Sequence, residues 1–207
     1  MKKLTMTGLM VAGIGAISAC ATVATDSEYG KLALDMMKAD FKTKGPANAE
    51  RVFEQDEVER VCSTVSRTVP AAVSARLQAV QLASVVFPAD GKYFGDWKAG
   101  EAIAQNGRGL QSSDAVGTVN GGNCYACHQI TKEEISYGNI GPSLYHYGKL
   151  RGQSEPIVKY TWSKIYNAQA YNLCSNMPRF GHKGILTQAQ LKDVMALLLD
   201  PASPVNK

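Results

Sequence analysis

The segment Cys124-Tyr125-Ala126-Cys127-His128 sets two thiols one turn apart and an imidazole directly after the second. That spacing is the attachment pattern of c-type haem: the thiols add across the two vinyl groups, and the histidine comes under the iron as an axial ligand. Two other chemistries use a Cys-x-x-Cys pair. A thioredoxin-like redox pair needs a strand before it and a regular helix after it, and a zinc site needs a second Cys or His pair. The sequence supplies neither. The pattern therefore implies one haem c, bound covalently through Cys124 and Cys127, with His128 on the iron.

Downstream, Gly141-Pro142-Ser143-Leu144 is a rigid turn able to return to such a group. The Pro142 carbonyl would accept the hydrogen of the second ring nitrogen of His128, fixing its tautomer and raising its basicity, and Leu144 would pack on the haem face. For the sixth iron position the sequence offers Met177, His146, His182, Cys174 or an open site. Met177 lies in the loop Ser175-Asn176-Met177-Pro178-Arg179-Phe180-Gly181, where Pro178 stiffens the backbone that presents the sulfur, so it is the favoured ligand. Met195, among Val194, Leu197 and Leu198 on a helical face, reads as packing, and His146 and His182 read as surface or haem-edge residues.

These residues need a scaffold, and the patterning predicts an all-α one. Tyr29, Leu32, Ala33, Met36, Met37 and Phe41 recur at helical spacing until Gly45-Pro46. Met36 and Met37 read as packing residues. A second helical stretch runs from about Ala47 to Arg67, and a third from Pro70 to Val86. After Pro88-Ala89-Asp90-Gly91-Lys92 the chain changes character, with helices expected over Trp97–Asn106, Pro156–Ala170 and Thr187–Leu199, the last opened by a Thr-x-x-Gln capping pattern. Residues 107–123 are rich in Gly, Ser, Asn and Thr, without apolar periodicity, and read as an irregular approach to the motif. The organisation expected is a leader over 1–21, a helical N-terminal extension over 22–92 and a class I cytochrome c-like domain over 93–207.

The leader has Lys2 and Lys3 before an uncharged stretch from Leu4 to Ala16 and a small-residue exit, the layout of a secretory signal, and implies a periplasmic protein. Ile17-Ser18-Ala19-Cys20 also fits a lipobox, which would tether the protein to a membrane through Cys20; without lipidation no membrane association is expected. Export places the cysteines in an oxidising compartment, and Cys62 and Cys174, the pair left after Cys20 and the motif are set aside, are expected to form a disulfide. Lys and Arg exceed Asp and Glu by 22 to 18, a balance too small to suggest nucleic acid. Between Cys124 and Lys183 the bias is larger, seven basic residues against three acidic ones, a pattern that fits steering of an anionic substrate or acidic partner, balancing of the haem propionates, or a scattered solvated surface.

The haem motif, the Gly141-Pro142-Ser143-Leu144 turn, the stretch Asn176-Met177-Pro178-Arg179-Phe180-Gly181 and the terminal Leu198–Lys207 together resemble the SoxX family, over residues from about 95 to 207. SoxX is the monohaem cytochrome subunit of the SoxAX complex of sulfur-oxidising bacteria, an L-cysteine S-thiosulfotransferase. The resemblance implies a SoxA-like haem cytochrome as partner, a SoxYZ-like carrier whose cysteine is joined oxidatively to thiosulfate, and a soluble cytochrome that takes the electrons onward. It places the thiol chemistry on the partner, with no catalytic residue on this chain. A stand-alone exported electron carrier and a haem-based small-molecule sensor with a displaceable ligand are the competing readings; an extension of this size argues against a simple carrier.

Overall fold

The computed structural model describes residues 26–63 and 68–207, so the leader with its lipobox, and Val65 on the second helical stretch, lie outside the described residues. The described residues contain helices and one isolated bridge, Lys44 to Ala47, and no strand. The chain divides into two units after Phe41, and the described part of the first is 26–41.

In the first unit, α1 (Asp26–Asp40) follows the expected periodicity. Its stripe remains exposed, with Met36 58% accessible, so the packing role expected for that residue is not seen.

The second unit opens with α2 (Glu50–Phe53) and α3 (Glu57–Cys62) where one longer helix was expected. The break has a local cause. Asp56 is an N-cap: its carboxylate accepts from the Glu59 N–H at 2.9 Å while the Glu59 carboxylate accepts from the Asp56 N–H at 2.9 Å. This reciprocal capping box satisfies orphan donors of the first turn and restarts the helix at that point. Pro70 caps α4 (Ala71–Ala83), where its fixed φ suits a helix start.

Around the haem motif the scaffold is α5 (Trp97–Gln105), α6 (Tyr147–Arg151), α7 (Glu155–Tyr166) and α8 (Gln188–Leu199). Thr187 and Gln190 form the capping box expected at the start of α8. The short α6 escaped the sequence reading because only five residues form it and His146, which leads into it, has a left-handed φ of 58° that periodicity does not signal. The principal core joins α5, α7 and α8 through Ala104, Trp162, Leu191, Met195 and Leu197. Trp162 is 1% exposed, donates its indole N–H to the Val86 carbonyl at 3.0 Å and meets Tyr93 edge to face at 5.6 Å. A smaller core, Val58, Leu77 and Leu173, unites α3, α4 and the segment before Cys174.

Gly100 sets the crossing of α5 and α8, because a Cβ there would overlap the backbone of Asp193 and come within 3.0 Å of Leu197 Cβ. The neighbouring contacts, Gly95 N–H to the Lys192 carbonyl and Asp96 N–H to Asp193 Oδ1, both at 2.9 Å, hold the same approach. Overpacking a tight core costs about 1–3 kcal/mol, whereas replacing a mid-helix glycine by alanine gains only about 1 kcal/mol in propensity. Gly100→Ala should therefore lower the stability of the haem-loaded protein by about 1–2 kcal/mol, measured by denaturant unfolding; a gain in stability would refute the close crossing.

Candidate functional site

Cys124–Ala126 forms one turn of 3-10 helix, entered through Asn123 at φ 47°. With three residues per turn, positions i and i+3 eclipse, so the turn brings Cys124 and Cys127 to one side. The His128 N–H donates to the Cys124 carbonyl at 3.0 Å, which continues the winding and sets the histidine beside the two thiols. Before haem is attached, burial pushes the Cys124 thiol up to about 12.

The 138–144 turn is laid back over this motif by Gly138 N–H to the Tyr125 carbonyl, Gly141 N–H to Cys127 and Leu144 N–H to Gln129, each 2.8 Å. The carbonyl of Pro142 lies 2.7 Å from His128 Nδ1. A carbonyl only accepts, so Nδ1 carries the hydrogen and Nε2 keeps a free lone pair, the form in which imidazole binds iron. Gly141 permits the approach, since a Cβ at that position would overlap the His128 ring.

Cys124, Leu144, Tyr166, Met177 and Ile185 are half-buried and pack against one apolar cluster. Met177 and Ile185 also line an open cleft of about 950 Å³ between the 48–63 and 174–185 segments. Gln169 stands on the same wall, and its Oε1 is buried without a hydrogen-bond partner. Two thiols on one turn and an imidazole oriented to bind iron fit a covalently bound haem, while the cleft that Met177 and Gln169 line includes none of the motif's residues.

The other candidate ligands are engaged elsewhere. His146 stacks on Tyr145 and its Nε2 lies 2.5 Å from the Lys207 carbonyl oxygen. His182 Nδ1 lies 3.2 Å from Ser84 Oγ; burial, then the charges of Arg179 and Lys183, hold its pKa below the ordinary histidine range. Cys174 is bonded to Cys62, with S–S 2.01 Å and Cα–Cα 5.3 Å.

The loop carrying Met177 contains the least expected feature, Arg179, which is only 5% exposed. Its guanidinium pairs with Asp56 at 2.7 Å and with Glu59, and donates to Gln81 Oε1 at 3.4 Å. Lys183 stands 3.6 and 3.4 Å from the same two carboxylates. Gln81 in turn accepts from Asn167, which is wholly buried. The D-x-x-E spacing of Asp56 and Glu59 was readable as a cap, but an arginine 120 residues from Glu59 gave no signal of the pairing. These contacts also use part of the basic excess around the motif. Arg179 and Lys183 face carboxylates, Lys159 pairs with Glu155 at 2.6 Å, and Lys132 and Arg151 lie over the rings of Tyr145 and Tyr147.

Residues 99–200 match the cytochrome c family. A relative described as an uncharacterized lipoprotein from Aquifex aeolicus (strain VF5) is 37% identical over 177 residues, covering 82% of this chain and 84% of the relative. A match of that length extends well into the segment before the haem motif.

Burial pushes Asp56 and Glu59 up, but backbone hydrogen bonds and the charges of Arg179 and Lys183 bring both carboxyls net below their ordinary values. A depressed folded-state pKa contributes stability that is present above the unfolded value, near about 4, and is lost as pH falls through the folded one. Urea unfolding at stepped pH should show stability falling as acid passes below about 4.5. The fall should be shallower in an Asp56→Asn/Glu59→Gln variant, and an identical slope would show that these carboxylates do not contribute.

Proposed function

This chain is a cytochrome c-domain protein of one family with the Aquifex aeolicus lipoprotein, carrying haem c covalently, and on that footing we propose that it is the electron-accepting subunit of a SoxAX-type thiosulfate-oxidising complex. Cys124 and Cys127 would hold the haem, and His128 and Met177 would ligate its iron. The haem supplies a one-electron couple, and a thioether ligand favours a raised reduction potential. Pro142 holds His128 in the ligating tautomer through the 2.7 Å contact. Leu144 and Ile185 contribute apolar surface packed against the same core as Cys124 and Met177.

The observation that carries this reading is the Asn176–Gly181 loop. Its methionine is half-buried against the same apolar cluster as Cys124 and Leu144, and both the segment and the C-terminal stretch resemble those of SoxX. Joining thiosulfate to a carrier cysteine forms a sulfur–sulfur bond, loses the thiol proton and releases two electrons. In this proposal the reactive thiol belongs to a SoxA-like partner, the sulfur acceptor is a SoxYZ-like carrier, and a soluble cytochrome is the onward acceptor. The relative's description as a lipoprotein supports Ile17-Ser18-Ala19-Cys20 as a lipobox, so the protein is exported and tethered through Cys20. No helix among the described residues is long and apolar enough to cross a membrane.

In Met177→Ala the methionine-to-iron charge-transfer band should vanish, exogenous ligands should bind and the reduction potential should drop; an unchanged band would exclude Met177 as ligand. Thiosulfate-dependent reduction of this haem should require both partner and carrier. Full-rate turnover of thiosulfate by the isolated chain would overturn the proposed division of labour.

A further inference from the structure

A methionine sulfur binds iron only while its loop stays in place. The loop around Met177 has little structure of its own: Asn176 and Pro178 are exposed, and the Met177 N–H donates to Ser175 Oγ at 3.2 Å. It is tied on both sides to α3. Three residues before Met177, Cys174 is bonded to Cys62 at the end of α3, and two residues after it, Arg179 reaches the two carboxylates in the first turn of that helix.

The carboxylates divide their oxygens. Asp56 Oδ1 and Glu59 Oε2 close the capping box, leaving Asp56 Oδ2 and Glu59 Oε1 for Arg179. The cap thus fixes the rotamers of both acids, and one guanidinium nitrogen, Nη2, contacts both of them. Gln81 from α4 approaches the other terminal nitrogen.

We propose that Arg179, seated between Asp56 and Glu59, is a positioning residue that holds the Met177 loop closed, which makes the 42–83 segment the lock on the distal side of the haem. This inference rests on the reading of Met177 as an iron ligand. An added ligand competes with the methionine, and its apparent affinity scales with the fraction of molecules in which the loop is open. Loosening the lock therefore appears as tighter binding of an external ligand.

The test uses the haem-loaded full chain with imidazole as the probe. Asp56→Asn/Glu59→Gln removes both charges and keeps residues that still cap a helix, so the change falls on the contacts to Arg179 and to Lys183 from the same loop side. Imidazole should bind about tenfold tighter or more, with weakening of the methionine-to-iron band, while the covalent haem is retained. Glu59→Gln alone, the milder change, should shift both readouts the same way by less. Arg179→Lys should lie between that single variant and the double one, because it keeps a charge for the two acids but has no second nitrogen to reach Gln81. Gly100→Ala, which strains the domain away from this loop, should leave imidazole affinity within about twofold.

Wild-type imidazole affinity and an intact band in Glu59→Gln and in the double variant would overturn the positioning role. An equal shift in Gly100→Ala would overturn it too, by showing that general destabilisation suffices. If Met177→Ala keeps its band, the ligand assignment itself fails, and that result is separate from either of these.

Discussion

A guanidinium cannot be removed from water without anions and acceptors arranged around it. Removing one partner from a buried pair typically costs about 3–5 kcal/mol, and Arg179 is buried at the point where the chain turns from its methionine loop toward α8. Burial of that charge requires α3 to present Asp56 and Glu59, and α4 to present Gln81. Those helices in turn need the small apolar core of Val58, Leu77 and Leu173 beneath them. Helices α3 and α4 accordingly belong to one compact unit with the haem motif, and contacts cross the linker at 88–92.

The motif around His128 and the loop that carries Met177 are built by different means. On the histidine side everything is local: the motif turn, the Gly141 approach and the Pro142 carbonyl all lie within about twenty residues, linked by short backbone hydrogen bonds. On the methionine side the restraints are long-range. The Cys62–Cys174 bond has a sequence separation of 112, a closure that in the chain-entropy model contributes about 4–5 kcal/mol. The disulfide and the ion pairs converge on the same short helix, so the loop between them inherits the rigidity of α3.

A network of this kind is worth more intact than in pieces. Asn167, Gln81, Arg179 and the two carboxylates form a chain of partners in which each polar group satisfies the next, and a half-satisfied network in a core costs more than an apolar one. Gln169 Oε1 stands apart as a buried acceptor without a partner, on the wall of the cleft that Met177 lines.

The sequence by itself determined the covalent attachment, because two thiols and an imidazole at that spacing form a contiguous motif whose chemistry is local. It determined the helical class and the position of α8 for the same reason, since periodicity and a Thr-x-x-Gln cap are written within a single turn. Cysteine arithmetic reached the Cys62–Cys174 bond because the possible partners were few. Tertiary structure alone decided the α5–α8 crossing at Gly100 and the seating of Arg179 between Asp56 and Glu59. Each of those depends on which surfaces meet across about a hundred residues of chain. A charged residue in a polar loop reads as solvated until the structure shows what has been packed around it.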